Sequence, residues 1–191
     1  MELQRKRQPD VTRQRLIEVA AALVAQSGIA ALTLDAVAHG AGVSKGGLLH
    51  HFSDKAALIE AVATQLHEQF FAAVDAHASE DPDPHARSAR AYVRAIASEE
   101  RRETERWAAM ATAFFHSDAP VDLWRRELAA ARACDLRETK DSDEALIARL
   151  AADGLWFARV FGLYDIDPAT FARIADALVG MTKSDPAGRS G

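Results

Sequence analysis

Residues 42–62, GVSKGGLLHHFSDKAALIEAV, decide the fold. Ser44 follows Gly40-Ala41-Gly42, a tight connection in which glycine takes backbone angles that other residues resist, and serine is a favoured helix N-cap. Val43, Leu48 and Phe52 recur behind it at helical spacing, so one face of a short helix packs inward and the opposite face is left for a partner. The preceding stretch, LTLDAVAHGAG, carries a helix of its own. Thr33 is its candidate N-cap, Asp35 suits the positive first turn, and Leu34, Val37 and Ala38 form its apolar side. Helix, glycine-containing turn and second short helix together make a helix-turn-helix.

The outward face of that second helix is built against its own stability. Lys45 sits in the first turn, where a cation opposes the helix dipole. Gly46 and Gly47 follow, each costing about 0.8–1 kcal/mol relative to alanine inside a helix. An anionic partner accounts for both choices, because free N–H groups at a helix start attract phosphate, lysine adds charge, and glycine lets the backbone come close. Ser53-Asp54-Lys55 repeats the pattern, with Ser53 the expected cap of the next helix and Lys55 in its first turn. Two such helix starts can grip a DNA backbone on either side of the recognition helix. His50 and His51 do not make a metal site: neighbours on a helix point about 100° apart, and no cysteine or carboxylate lies at ligand spacing.

From about Thr12 to Val62 the chain resembles the TetR family of bacterial transcriptional regulators. The likeness is carried by the small residues Ala20 to Ala22, by Gly28 ahead of the second helix, and by the run GVSKGGLLHHFSDKAAL. It implies an all-α dimer: an N-terminal three-helix DNA-binding domain on a palindromic operator, followed by a larger helical domain for effector binding and dimerisation. Ser44, Lys45, His50 and Lys55 match the family's DNA-facing positions, and with Thr33, Gly46, Gly47 and Leu49 they make up the expected DNA interface. The chain departs from the family pattern twice. Leu49 replaces a usual tyrosine, removing a phosphate hydrogen bond, and Gly47 replaces a threonine, serine or alanine, removing a side chain that could read a base.

Composition agrees with a regulator. A chain of 191 residues can bury a sizeable core and hold one small DNA-binding unit plus one larger helical domain. No apolar run reaches the ~18 residues of a membrane span, and MELQRKRQPD lacks the apolar segment of a secretory signal. The single cysteine, Cys134, excludes an intrachain disulfide and fits a reducing compartment, so the expected location is the cytoplasm, with no membrane partner. Net charge is −5, yet residues 1–55 carry seven Lys and Arg against five Asp and Glu. A mildly basic head on an acidic body turns the head toward DNA. Arg5-Lys6-Arg7 is expected to be a flexible arm adding phosphate contacts. No phosphate-binding glycine loop, HExxH zinc motif or nucleophile elbow is present, so neither an enzyme nor a cofactor is expected.

Beyond the head the chain reads as helices with short breaks. Residues 54–78 form a long helix striped with Leu58, Val62, Leu66, Phe70 and Val74. Ser79 to Pro84 is the clearest linker, its two prolines blocking helix continuation. Helices follow over about 85–100, 103–116, 120–139, 142–163 and 168–181, the last opened by Asp167-Pro168. The division is a DNA-binding domain over 1–54 including the arm, an effector and dimerisation domain over 55–181, and a disordered tail over 182–191.

Aromatic clustering points to where a small-molecule effector sits. Trp107, Met110 and Phe114 share a helical face, and Phe70, Phe71, Tyr92 and Trp124 come from helices that the family folds around its ligand, which favours an apolar or aromatic molecule. The segment GLWFARVFGLY from Gly154 is apolar nearly all round and needs two burial partners. Leu146, Leu150, Phe157 and Phe161 are expected to face the domain's own core. Gly154 and Leu155, with Phe171, Ile174 and Leu178 of the final helix, are expected to meet a second subunit, with Gly154 and Gly162 allowing close backbone approach. The combined expectation is a homodimeric repressor released from its operator by an effector. The alternatives are an activator of the same fold and a helical module that binds protein.

Overall fold

The computed structural model describes residues 2–98, 118–139 and 142–183, and every regular element among them is helical. The helices are α1 (Glu2–Ser27), α2 (Leu34–Ala41), α3 (Lys45–His51), α4 (Lys55–Glu80), α5 (Arg87–Ser98), α6 (Asp118–Glu138), α7 (Ser142–Phe161) and α8 (Pro168–Met181), with a short 3-10 turn at Ile29–Ala31. Residues 184–191, most of the expected tail, lie outside the described residues, as does the expected helix over 103–116. None of the described helices is long and apolar enough to cross a membrane.

Two compact units divide the chain. Among the described residues, one takes in 2–67 and 118–123, and the other 68–98, 124–139 and 142–183. The expected boundary at residue 54 is therefore displaced into the middle of α4, because the first half of that helix completes the core of the head. The stretch expected as an N-terminal arm is the first turns of α1.

In the first unit α1, α2 and α3 pack on one another. Leu16, Ala20, Val24, Val37, Leu48, Phe52, Leu58 and Val62 are buried, so the inward face read from the sequence is the packed face. Gly40 sits where a Cβ would lie 2.7 Å from Val19 Cγ1, so only glycine lets α2 approach α1 this closely. Gly42 ends α2 in the left-handed region at φ 71°, and the Val43 N–H reaches the Ala38 carbonyl at 3.0 Å, closing the turn.

In the second unit α5, α7 and α8 pack together. The inner side of α7 is lined with Ala145, Ala148, Ala152, Leu155 and Ala158, all buried, together with Arg149. Its bulky residues point the other way: Ile147, Leu150, Phe157 and Phe161 are exposed, Leu150 by 61%. This inverts the sequence expectation for α7. Leu155, Phe171 and Leu178, expected to meet a second subunit, are buried within this one, while Leu150, Phe157 and Phe161, expected in the core, are outside. The physical reason is close helix packing: alanines bring α7 near its neighbours, and a helix apolar on every side has no polar face to reveal which stripe turns inward. Gly154 is exposed with open space where a Cβ would stand, and Gly162 takes φ 64° to end α7, so neither glycine serves a close approach within the subunit.

The Ser79–Pro84 linker is more than a break. Asp81 is buried there beside Arg90, which donates from Nε to Asp81 Oδ2 at 2.6 Å, from Nη2 to the Asp83 carbonyl at 2.7 Å, and from Nη1 to the carbonyls of His85 at 2.9 Å and Thr182 at 2.5 Å. Thr182, expected to open the disordered tail, is thus a buried part of the fold.

Candidate nucleic-acid interface and effector site

Each helix of the helix-turn-helix is capped by a side chain that the sequence identifies, with one correction. Thr33 Oγ1 accepts the Ala36 N–H at 3.1 Å, and Ser44 Oγ accepts the Gly47 N–H at 3.0 Å. For α4 the cap is Asp54, not Ser53: Asp54 Oδ1 accepts the Ala57 N–H at 2.8 Å, and Ser53 donates its hydroxyl to Asp54 Oδ2 at 3.0 Å. A carboxylate at a helix start accepts more strongly than a hydroxyl, and the Ala57 N–H, with the Ser53 hydroxyl behind it, holds the Asp54 carboxyl below its usual range.

With Leu48 fully buried, α3 turns Lys45, Gly46, Leu49 and His50 outward. Lys45 Nζ meets Asp35 Oδ2 at 2.9 Å, an exposed ion pair across the two helices. A Cβ at Gly46 would meet nothing closer than 4.0 Å, whereas one at Gly47 would lie 3.3 Å from the capping hydroxyl of Ser44, so Gly47 protects the cap as well as clearing the surface. Lys55 is half-buried and donates to the Ile29 carbonyl at 3.2 Å. It tethers α4 to the turn after α1.

Four of the seven residues expected around an effector are brought together. Phe70 packs edge-on against Phe71 and Tyr92, with ring centroids 5.3 and 5.2 Å away, and Trp124 lies 5.4 Å from Phe70 and 5.2 Å from Phe71. Phe70 and Tyr92 are buried, and Phe71 and Trp124 are half-buried. Trp107, Met110 and Phe114 lie outside the described residues.

The sequence reading missed a polar network on the far side of Tyr92. The Tyr92 hydroxyl donates to Asp153 Oδ1 at 2.5 Å, and the Arg149 guanidinium lies over the Tyr92 ring, 5.0 Å from its centroid. Arg149 grips Asp135 with two bonds, Nε to Oδ2 at 2.8 Å and Nη2 to Oδ1 at 2.9 Å, and Nη2 also donates to Ser88 Oγ at 2.6 Å. The Ser88 N–H donates to Glu138 Oε2 at 2.8 Å. A signal was available: Arg149 and Asp153, one helical turn apart, are the sole charges between Ala145 and Ala158. Cys134 borders this network, its thiol donating to Glu138 Oε1 at 3.5 Å. Burial, followed by the Glu138 charge, pushes the thiol pKa up, which lowers its thiolate fraction.

Residues 16–62 match the family described as bacterial regulatory proteins of the tetR family, and residues 86–183 match the tetracyclin repressor-like C-terminal domain. The chain belongs to the TetR family. It is a helix-turn-helix transcriptional regulator and not an enzyme. The HTH-type transcriptional regulator TtgR of Pseudomonas putida is 37% identical over 76 residues, which span 40% of this chain and 36% of TtgR's own length. The fold recurs in a Rhodococcus transcriptional regulator at 23% identity and TM-score 0.73, over 89% of this chain and 95% of that one. It recurs also in the multidrug binding protein EbrR, solved in complex with imidazole, at 26% identity and TM-score 0.65 over 92% of this chain and 91% of that one. EbrR has also been solved with malachite green, at 23% identity and TM-score 0.67 over 90% of this chain and 98% of that one.

Proposed function

We propose that this TetR regulator is a cytoplasmic, homodimeric repressor that places α3 in the major groove of a palindromic operator and leaves DNA when an aromatic effector binds at Phe70, Phe71, Tyr92 and Trp124. The observation carrying the DNA reading is the outer face of α3: a capped helix start showing Lys45, Gly46, Leu49 and His50 and no acidic side chain. Leu49 offers an apolar surface that fits a thymine methyl, and His50 offers a donor to phosphate. Asp35 holds Lys45 in place until phosphate competes for it.

Exposed stripes on α7 and α8 support the dimer. Ile147, Leu150, Gly154, Phe157 and Phe161 are all exposed and alternate three and four residues apart, the spacing of a helix-packing seam. Ile174, Ala177 and Met181 continue the pattern on α8 and are also exposed. These residues replace Leu155, Phe171 and Leu178 as the proposed interface. A second copy gives the operator its second recognition helix, about 34–36 Å or a multiple away. An effector that prefers a body conformation with a different head spacing shifts the dimer off DNA by its differential affinity for the two states.

Selection of genomic fragments on the full chain, followed by binding titrations in rising salt, tests the reading. Palindromic fragments should be enriched, and Lys45→Ala should lower the salt slope by about one unit while weakening all operator variants alike. Leu150→Glu should yield helical monomers in sedimentation that have lost operator affinity. Enrichment of non-palindromic DNA, or a dimer that survives Leu150→Glu, would overturn the operator and interface assignments respectively.

A further inference from the structure

We propose that α3 reads its operator through the C5-methyl group of a pyrimidine, with Leu49 as the contact and Gly46 clearing the space beside it. Thymine and 5-methylcytosine are then accepted at one position of each half-site, and uracil and cytosine are bound less well. The proposal rests on the DNA reading above and narrows it to what this helix can distinguish.

Few side chains of α3 can read a base. Two-bond pairing with a base edge is made by arginine or lysine on guanine and by asparagine or glutamine on adenine, and Lys45 is the sole member of that set between residues 45 and 51. Its ammonium is engaged by Asp35 at 2.9 Å. Gly46 and Gly47 have no side chain to offer, Leu48 is fully buried and His51 is half-buried, which leaves Leu49 and His50 exposed. Leu49 keeps 43% of its surface in solvent, although it is a large apolar residue inside a short helix whose other leucine is wholly within the core. Such a surface gains by covering another apolar group, and the apolar group of the major groove is the C5-methyl.

Gly46 fits the same role. Residues three and four apart share a helical face and side chains lean toward the helix start, so Leu49 stands over the turn that holds Lys45 and Gly46. A Cβ at Gly46 would meet nothing closer than 4.0 Å, so the fold itself has room there for alanine, a better helix former. Glycine is explained by what comes from outside, because without a side chain the backbone beside Leu49 can approach a base pair closely. Leucine has neither donor nor acceptor, so it senses the methyl and not the oxygen or amino group next to it on the ring. Thymine and 5-methylcytosine carry that methyl at the same ring position, whereas uracil and cytosine lack it.

Genomic fragments selected on the full chain supply the probes, each remade with uracil for thymine, or with cytosine or 5-methylcytosine in its place. At one symmetric pair of positions, uracil should weaken binding by about fourfold per half-site, the worth of one buried methyl. Cytosine should bind weakly there, and 5-methylcytosine should bind more tightly than cytosine by a similar factor. Leu49→Ala should bind the thymine and uracil probes equally, and Leu49→Met, which keeps the apolar reach, should still separate them. Both variants should melt near the parent, since Leu49 lies outside the core. Gly46→Ala should melt higher than the parent and bind the thymine probe less tightly. Equal affinity for every uracil probe and its thymine parent overturns the methyl reading and leaves operator binding standing. A preference that survives Leu49→Ala overturns the assignment to Leu49, and undiminished binding by Gly46→Ala overturns the close approach at Gly46. Selection that enriches no fragment overturns the DNA reading itself, and the proposal with it.

Discussion

The polar contacts of the head and the body work over different distances. In the head, the caps of α2, α3 and α4 each close over three residues, from Thr33 to Ala36, Ser44 to Gly47 and Asp54 to Ala57, and all are exposed. In the body, Arg90 reaches Thr182, Ser88 reaches Glu138, and Tyr92 reaches Asp153, each joining residues at least fifty positions apart. The ion pairs differ likewise. Lys45 and Asp35 leave 55% and 70% of their side chains in solvent, whereas Arg90 and Asp81 leave 1% and 4%. An exposed pair is free to exchange its partner for a phosphate, and a buried one is not. The Lys45–Asp35 pair is thus open to exchange, whereas Arg90 ties the linker at Asp81 to Thr182 in a closed interior.

Removing Arg90 should have the largest effect. Arg90→Ala leaves the Asp81 carboxylate with the half-exposed Arg94 at 3.0 Å and the Asp83 N–H, and takes the guanidinium donor from the carbonyls of His85 and Thr182, so stability should fall by about 3–5 kcal/mol. Chemical denaturation would measure it, and a loss under about 1 kcal/mol would erase the contrast between the two units. Gly40→Ala comes next, because its Cβ must move Val19, a stiff β-branched side chain: a loss of about 1–3 kcal/mol is expected, with weaker operator binding as α2 shifts. Ser44→Ala should remove about 1 kcal/mol by losing the α3 cap, with a larger loss in DNA affinity than in thermal stability.

The smallest effect is in pH dependence, where the buried Asp81 and the half-buried Asp153 act with opposite signs. The Arg90 hydrogen bond holds Asp81 below its usual range, so its contribution to stability is present above the ordinary carboxylate pKa and is lost as pH falls through the lowered folded value. Asp153 is raised in the fold, so its ionisation subtracts stability as pH rises from the ordinary value through the raised one. Melting curves should show Asp153→Asn slightly more stable than the parent at neutral pH and indistinguishable from it in acid. Equal melting temperatures at both pH values would mean that Asp153 carries no buried charge.

How much was legible varies with the distance over which each feature is decided. Thr33, Ser44 and Asp167 were readable as caps because a cap needs only its own next turn, and Asp167 accepts the N–H groups of Ala169 and Thr170 at 2.9 Å. The α4 cap was misassigned by one residue because Ser53 and Asp54 are both good caps and adjacent. The grouping of Phe70, Phe71, Tyr92 and Trp124 was legible through the family resemblance and through their place on apolar faces. The partners of Tyr92 were not, since nothing near Asp153 in sequence says which residue its oxygens will meet.

The inner face of α7 shows the same limit. Bulk suggested that Leu150, Phe157 and Phe161 point inward, yet a helix can also be buried on its alanines, and only the neighbouring helices select between the two.

By itself, then, the sequence determined the helical class, the helix-turn-helix with its cap residues and the packed face of α3, all consequences of spacing within a few turns of one chain segment. Tertiary structure alone decided which stripe of α7 is left outside, that Thr182 and the linker at Asp81 belong to the core, and that Arg149 bonds to Asp135 while Asp153 takes the Tyr92 hydroxyl. Those outcomes depend on which distant groups share a low-dielectric interior, where each charge must find a partner that local spacing does not specify.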